Sequence, residues 1–173
     1  MMNIFDEKYW LETIARLVRR DYRPEEKNLD NNQNGILEAE GDLLPHFEYS
    51  RVDKITLEKG FTFSELLFKF IDDRQLNEVE LYQRIGVSKS VFSKIRTDDD
   101  YQPDKDTVFK FAIGLQLNLE EGIEFLASAG FNFKVSSHRD LVIRHCLSLR
   151  KYGLMMVDNS LIQFNEKPLF SSK

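Results

Sequence analysis

The chain has 173 residues, 42% of them hydrophobic and 14 of them Phe, which suits one domain, or a small domain with additions, around a packed core. Its net charge of −5 excludes a global attraction to nucleic acid, so any such binding needs a local basic patch. The single cysteine, Cys146, excludes an internal disulfide and fits a reducing cytoplasm; no apolar run approaches the ~20 residues of a membrane span, and MMNIFDEKYW has no secretory h-region.

In chain order, residues 3–22 predict a helix. Ile4, Phe5, Tyr9, Trp10, Ile14, Leu17 and Val18 recur at three- and four-residue steps, and Pro24 stops the run. Such a helix docks on its own chain or on a partner. Residues 24–45 are polar, acidic and Asn-rich and read as a linker or arm. FEYSRVDKITL, within 46–60, alternates enough for a short strand.

From Phe61 the signals sharpen. Ser64 is the expected N-cap of ELLFKFIDDRQ, with Leu66, Leu67, Phe70 and Ile71 as its apolar face. Asn77 caps EVELYQRIG, with Glu80 in the capping-box position, and Gly86 supplies a left-handed stop. Ser88 caps KSVFSKIR. After TDDDYQPDKD, a helix runs through TVFKFAIGLQL, and another from Leu119 to Ala129 ends at Gly130.

Residues 137–152 predict a further helix stopped at Gly153. Asp158 or Asn159 caps a short last one through Leu161 and Phe164, closed by Pro168. The expected organisation is therefore an N-terminal helix (1–23), a polar arm (24–60), a helical domain (61–133) and a basic helical extension (134–173). The extension carries seven Lys and Arg against three Asp and Glu, whereas 61–133 carries eight against thirteen.

No catalytic signature emerges. There is no GxSxG-like turn, phosphate-binding loop or dinucleotide fingerprint. Carboxylate pairs such as Glu25–Glu26 and Glu120–Glu121 fall in polar, solvated places. His138 and His145 are two helical turns apart, roughly 10 Å, too far for one metal ion even with Cys146 adjacent. The expectation is a non-enzyme without metal or cofactor. Arg139, Arg144, Arg150 and Lys151 offer either a surface for nucleic acid or acidic protein, or a solvated face that offsets the acidic domain beside it.

Five short helices over 61–133 resemble a lambda-repressor/Cro-like (XRE-type) helix-turn-helix domain. Leu81, the turn Gly86-Val87-Ser88, the inward Phe92 and Ile95, and Ala112, Leu115 and Leu117 before Asn118-Leu119 carry the resemblance. It implies an all-α fold and a bacterial, cytoplasmic transcriptional regulator. Lys89, Ser90 and Ser93 would enter the major groove of double-stranded DNA, with Lys94 nearer the backbone and Arg96 a further exposed DNA-binding candidate, and a homodimer would read two half-sites.

A narrower resemblance covers 61–170. FSKIR, YQP and LASAGF, followed by Ser136-Ser137 and a helix, are similar to a module at the C-terminal end of some bacterial macro-domain proteins; the macro domain itself is absent. Asp98, Asp99, Asp100, Asp104 and Asp106 sit where the helix-turn-helix family passes DNA phosphates, and carboxylates there repel. They also suit a helix N-terminus, where acids are favourable, with Asp104 or Asp106 as the cap. The rival expectation is a protein-interaction adaptor or antitoxin-like module on the same fold, in a stress or phage-defence system.

Overall fold

The computed structural model describes residues 4–25, 60–98 and 101–170. Those residues are all-α, without a strand: α1 (Ile4–Asp21), α2 (Phe63–Asp73), α3 (Glu78–Arg84), α4 (Lys89–Thr97), α5 (Lys105–Gly114), α6 (Leu119–Ser128), α7 (His138–Ser148) and α8 (Leu154–Ile162). The strand expected within 46–60, and Asp99 and Asp100, lie outside them. The described residues up to 24 and from 61 on belong to one compact unit, which holds these helices.

Caps set the helix starts. Thr62, not Ser64, caps α2: its hydroxyl accepts from the Glu65 amide while the Glu65 carboxylate accepts from the Thr62 amide. Ser64 lies one residue inside the helix. Asn77 caps α3 by accepting from the amides of Val79 and Glu80, and Ser88 caps α4 by accepting from Val91. Asn118 and Glu121 close a reciprocal box at α6, and Ser137 caps α7. The last helix starts earlier than its polar residues suggest. Gly153 precedes α8, and Asp158 sits inside it, buried, accepting from the amides of Leu169 and Phe170. The Asp158 carboxylate thus anchors the C-terminal segment.

Helix ends follow one device repeated six times. A residue with positive φ closes each of α2, α3, α5, α6, α7 and α8: Gln75, Gly86, Gln116, Gly130, Arg150 and Asn165. The amide after it reaches back five residues, as in Val87 to Tyr82, Leu117 to Ala112 and Lys151 to Cys146. This is the Schellman arrangement, which satisfies helix-end carbonyls. Arg150 therefore ends α7 before Gly153 is reached.

The core is rich in aromatic rings. Phe63 packs on Phe111 and Phe125, and Phe92 packs on Phe68, Tyr82 and Phe111. Phe109, Phe111 and Phe125 are fully buried, each contributing about 1.5–3 kcal/mol by leaving water. α7, with Leu141, Val142, Ile143, Cys146 and Leu147 all buried, runs through the middle and packs on α1, α5, α6 and α8. α1 lies on α7 and α8 through Ile14, Ala15 and Val18, and Lys151 Nζ sits 3.8 Å from the centre of the Trp10 ring. The apolar stripe of α1 thus docks on its own chain.

Candidate nucleic-acid interface

α3 and α4 are joined by Ile85, Gly86, Val87 and Ser88. Gly86 has φ +66°, and Ile85 and Val87 are buried on either side of it. Lys110 donates from Nζ to the Gly86 carbonyl at 3.3 Å, so α5 also holds this turn. Phe92 and Ile95 fix α4 in the core. Lys89, Ser90, Ser93 and Lys94 are all exposed and share the other side of the helix.

The cations on that side are not equivalent. The Arg96 guanidinium forms an ion pair with Glu78 on α3 and lies 4.8 Å from the Phe68 ring centre and 5.5 Å from that of Phe92. Its charge is spent within the fold. Lys94 Nζ stands 6.0 Å from the Tyr101 ring, and Lys89 is exposed. Two lysines and two serines therefore remain on α4 for a partner.

The neighbouring acids have internal work. Asp104 caps α5 by accepting from the Thr107 amide at 2.7 Å. Asp106 is held by Arg139 of α7 through two hydrogen bonds of 2.7 and 2.8 Å, and Arg139 donates a third, of 2.7 Å, to the Lys167 carbonyl. Lys105 is bound to Asp140, which is buried and also accepts from the Lys134 amide and the Ser137 hydroxyl. Asp98 ends α4 as its C-cap.

The basic extension does not form one face. Arg139 is turned to Asp106 and Lys151 to Trp10. Arg150, in its left-handed turn, lines a polar cleft with Arg74, Gln116, Asn118, Glu121 and Tyr152, where Arg74 is already bound to both oxygens of Glu121 at 2.9 Å. His138 stacks between Tyr22 and Phe164, at 3.9 and 5.0 Å between ring centres. His145 is buried with Nε2 3.1 Å from Asp21 Oδ2, an ion pair only when the ring is protonated. Burial holds its pKa below the usual 6.5, outweighing the attraction of Asp21. Burial also pushes the Cys146 thiol up to about 12, which leaves it inert. No group of His, Cys, Asp and Glu suited to a metal occurs among the described residues.

One run of exposed positive charge among the described residues is one that the apolar reading of α1 passed over. Arg16, Arg19, Arg20 and Arg23 are all exposed, the first three opposite the buried Ile14 and Val18. The spacing i, i+3, i+4, i+7 was the available signal. No helix among the described residues is long and apolar enough to cross a membrane.

The chain matches no protein-family model, no curated protein and no solved structure.

Proposed function

We propose that the protein is a lambda-repressor-like helix-turn-helix regulator that binds double-stranded DNA without catalysing a reaction. The observation that carries this reading is α4 itself. It follows a tight glycine turn, buries Phe92 and Ile95, and offers Lys89, Ser90, Ser93 and Lys94 to solvent on one side. Lysine and serine suit base edges and phosphate oxygens, and a helix presented this way fits the major groove. Ser90 and Ser93 would meet base edges. Lys89 would serve bases or phosphates, and Lys94 the backbone. Arg96, tied to Glu78, would orient α4 rather than contact DNA. One such helix reads only a half-site, so the working form would be a homodimer.

A second reading is favoured by the Arg96–Glu78 pair, which removes a cation from the α4 face, and by Val79 of α3, 48% exposed. On that reading α3 and α4 dock a protein instead, as in an adaptor or antitoxin-like module.

Binding to mixed-sequence DNA fragments at about 50 and 200 mM salt, beside a Lys89→Ala/Lys94→Ala variant, separates the two. A groove-binding α4 gives salt-sensitive binding that weakens in the variant. Binding unaffected by the variant removes α4 from DNA recognition, and a partner search by affinity capture follows.

A further inference from the structure

We infer that the arginine stripe of α1 is a second nucleic-acid contact, a seat for the phosphate backbone of a duplex, separate from α4. Arg16, Arg19 and Arg20 lie on α1, on the face opposite the core-facing Ile14, Ala15 and Val18, and Arg23 follows two residues beyond the helix end at Asp21. Their surroundings add to the charge. Arg144 of α7 lies close enough to act electrostatically on both Asp21 and His145, as Arg20 does. The Arg23 amide donates to the Val135 carbonyl, which brings the exposed Lys134 alongside.

Asp21 is bonded into this group. It engages Arg20 at 2.6 and 3.1 Å. Arg16 makes no ion pair among the described residues, and Arg19 lies over the Phe164 ring at 5.7 Å, a contact that leaves its charge uncancelled. Arg23 donates to the carbonyls of Arg20 and Tyr22.

Like charges three and four apart on a helix repel one another. The negative end of the helix dipole offsets this for Arg19 and Arg20 in the last turn of α1 but leaves Arg16 a full turn inside. In a chain of net charge −5, a one-sided cluster of this kind calls for an external anion. The cations of the stripe are guanidiniums, whose planar fork binds phosphate oxygens in pairs, and they run in a line, as phosphates do along a strand. The stripe also supplies what α4 lacks, since Lys89 and Lys94 alone give a shallow salt dependence.

The test is the salt dependence of binding to a short mixed-sequence DNA duplex. It compares the full chain, an Arg16→Gln/Arg19→Gln/Arg20→Gln/Arg23→Gln variant, the matching four-Lys variant, and Lys89→Ala/Lys94→Ala. Each phosphate contact contributes about −0.9 to the slope of log affinity against log salt. The Gln variant is expected to flatten the slope by about 3 and to bind at least tenfold more weakly at about 50 mM salt. The four-Lys variant keeps the slope, and Lys89→Ala/Lys94→Ala keeps most of it. Retention of the full slope by the Gln variant overturns the inference. So does binding of an oligoglutamate peptide with none to the duplex, which makes the stripe a docking face for acidic protein. Loss of binding in Lys89→Ala/Lys94→Ala alone upholds the α4 reading and removes this one; loss in the Gln variant alone does the reverse.

Discussion

Arg139 on α7 holds Asp106 on α5 through Nε and Nη2, and its remaining nitrogen takes the Lys167 carbonyl. One side chain thus ties together the fifth and seventh helices and the C-terminal segment. Asp106 is 52% exposed and Arg139 only 16%, so solvent screens the charge term while the hydrogen bonds remain ordered. Arg139→Met is expected to cost about 1–2 kcal/mol, because it strands a carbonyl as well as a carboxylate. Asp106→Asn should cost less than about 1 kcal/mol. Urea unfolding of both single variants and the double variant checks this. Additive losses would mean the pair is not coupled.

His145 makes the stability of the protein sensitive to acid. Burial lowers its pKa in the folded state below the ordinary 6.5. As pH falls through about 6.5 the unfolded chain takes up a proton that the folded chain refuses. The unfolded state then binds more protons, and stability falls with pH until the folded-state pKa is passed. The Asp21 carboxyl is depressed by its bond to Arg20, so the stability it adds is full above about 3.8 and is lost only in stronger acid. Thermal melting between pH 8 and about 5 should show a falling Tm, flattened in His145→Gln. An unchanged profile in that variant assigns the effect to other groups.

The helix stops explain both what the sequence disclosed and what it withheld. Gly86 and Gly130 are legible because glycine takes positive φ without strain. Asn165 is legible in the same way, because asparagine tolerates positive φ, whereas Gln75, Gln116 and Arg150 do the same work with nothing in their side chains to mark them, because the tertiary fold imposes the turn. The same distinction holds for caps. Asn77, Ser88 and Ser137 start helices immediately before apolar runs, whereas at α2 Thr62 and Ser64 both offer a hydroxyl and only Thr62 has a glutamate three residues on, Glu65, to close the capping box, a signal the Ser64 reading overlooked. Within the candidate interface, the exposed side of α4 was readable from Phe92 and Ile95. The loss of Arg96 to Glu78 was not, because that pair spans two helices.

A consequence is testable at those stops. Gln116→Gly relieves a non-glycine residue at φ +56°, and should raise stability by up to about 1 kcal/mol. Gly86→Ala places a Cβ in ordinary contact, 3.9 Å from the Phe170 carbonyl oxygen and clashing with nothing, but at φ +66°, and should cost about 1 kcal/mol from backbone strain alone. Chemical denaturation of both variants measures the difference. Equal stabilities would show that the turns relax.

Gly114 and Gly122 reverse the usual rule for glycine in a helix. In an open helix interior, Gly→Ala stabilises by about 1 kcal/mol. At Gly114 a Cβ would fall 2.5 Å from Ile85 Cγ2 and 3.1 Å from Leu81 Cδ1, because α5 packs directly on α3 there. At Gly122 it would fall 2.5 Å from Leu147 Cδ1, where α6 meets α7. Ile85, Leu81 and Leu147 are all essentially inaccessible to solvent, so they have little room to move. Overpacking should outweigh the helix gain, and Gly114→Ala is expected to destabilise by about 1–3 kcal/mol. Gly122→Ala meets a single leucine tip, which turns more easily than two side chains, and should cost less. Gly114 also bears on the interface, since its carbonyl accepts from Arg84 Nη2 at 2.6 Å, and Ile85 begins the turn into α4. If α4 binds DNA as proposed, Gly114→Ala should therefore weaken that binding at a temperature where the protein is still folded. Full binding in a destabilised but folded variant would show that the turn is held independently of α5.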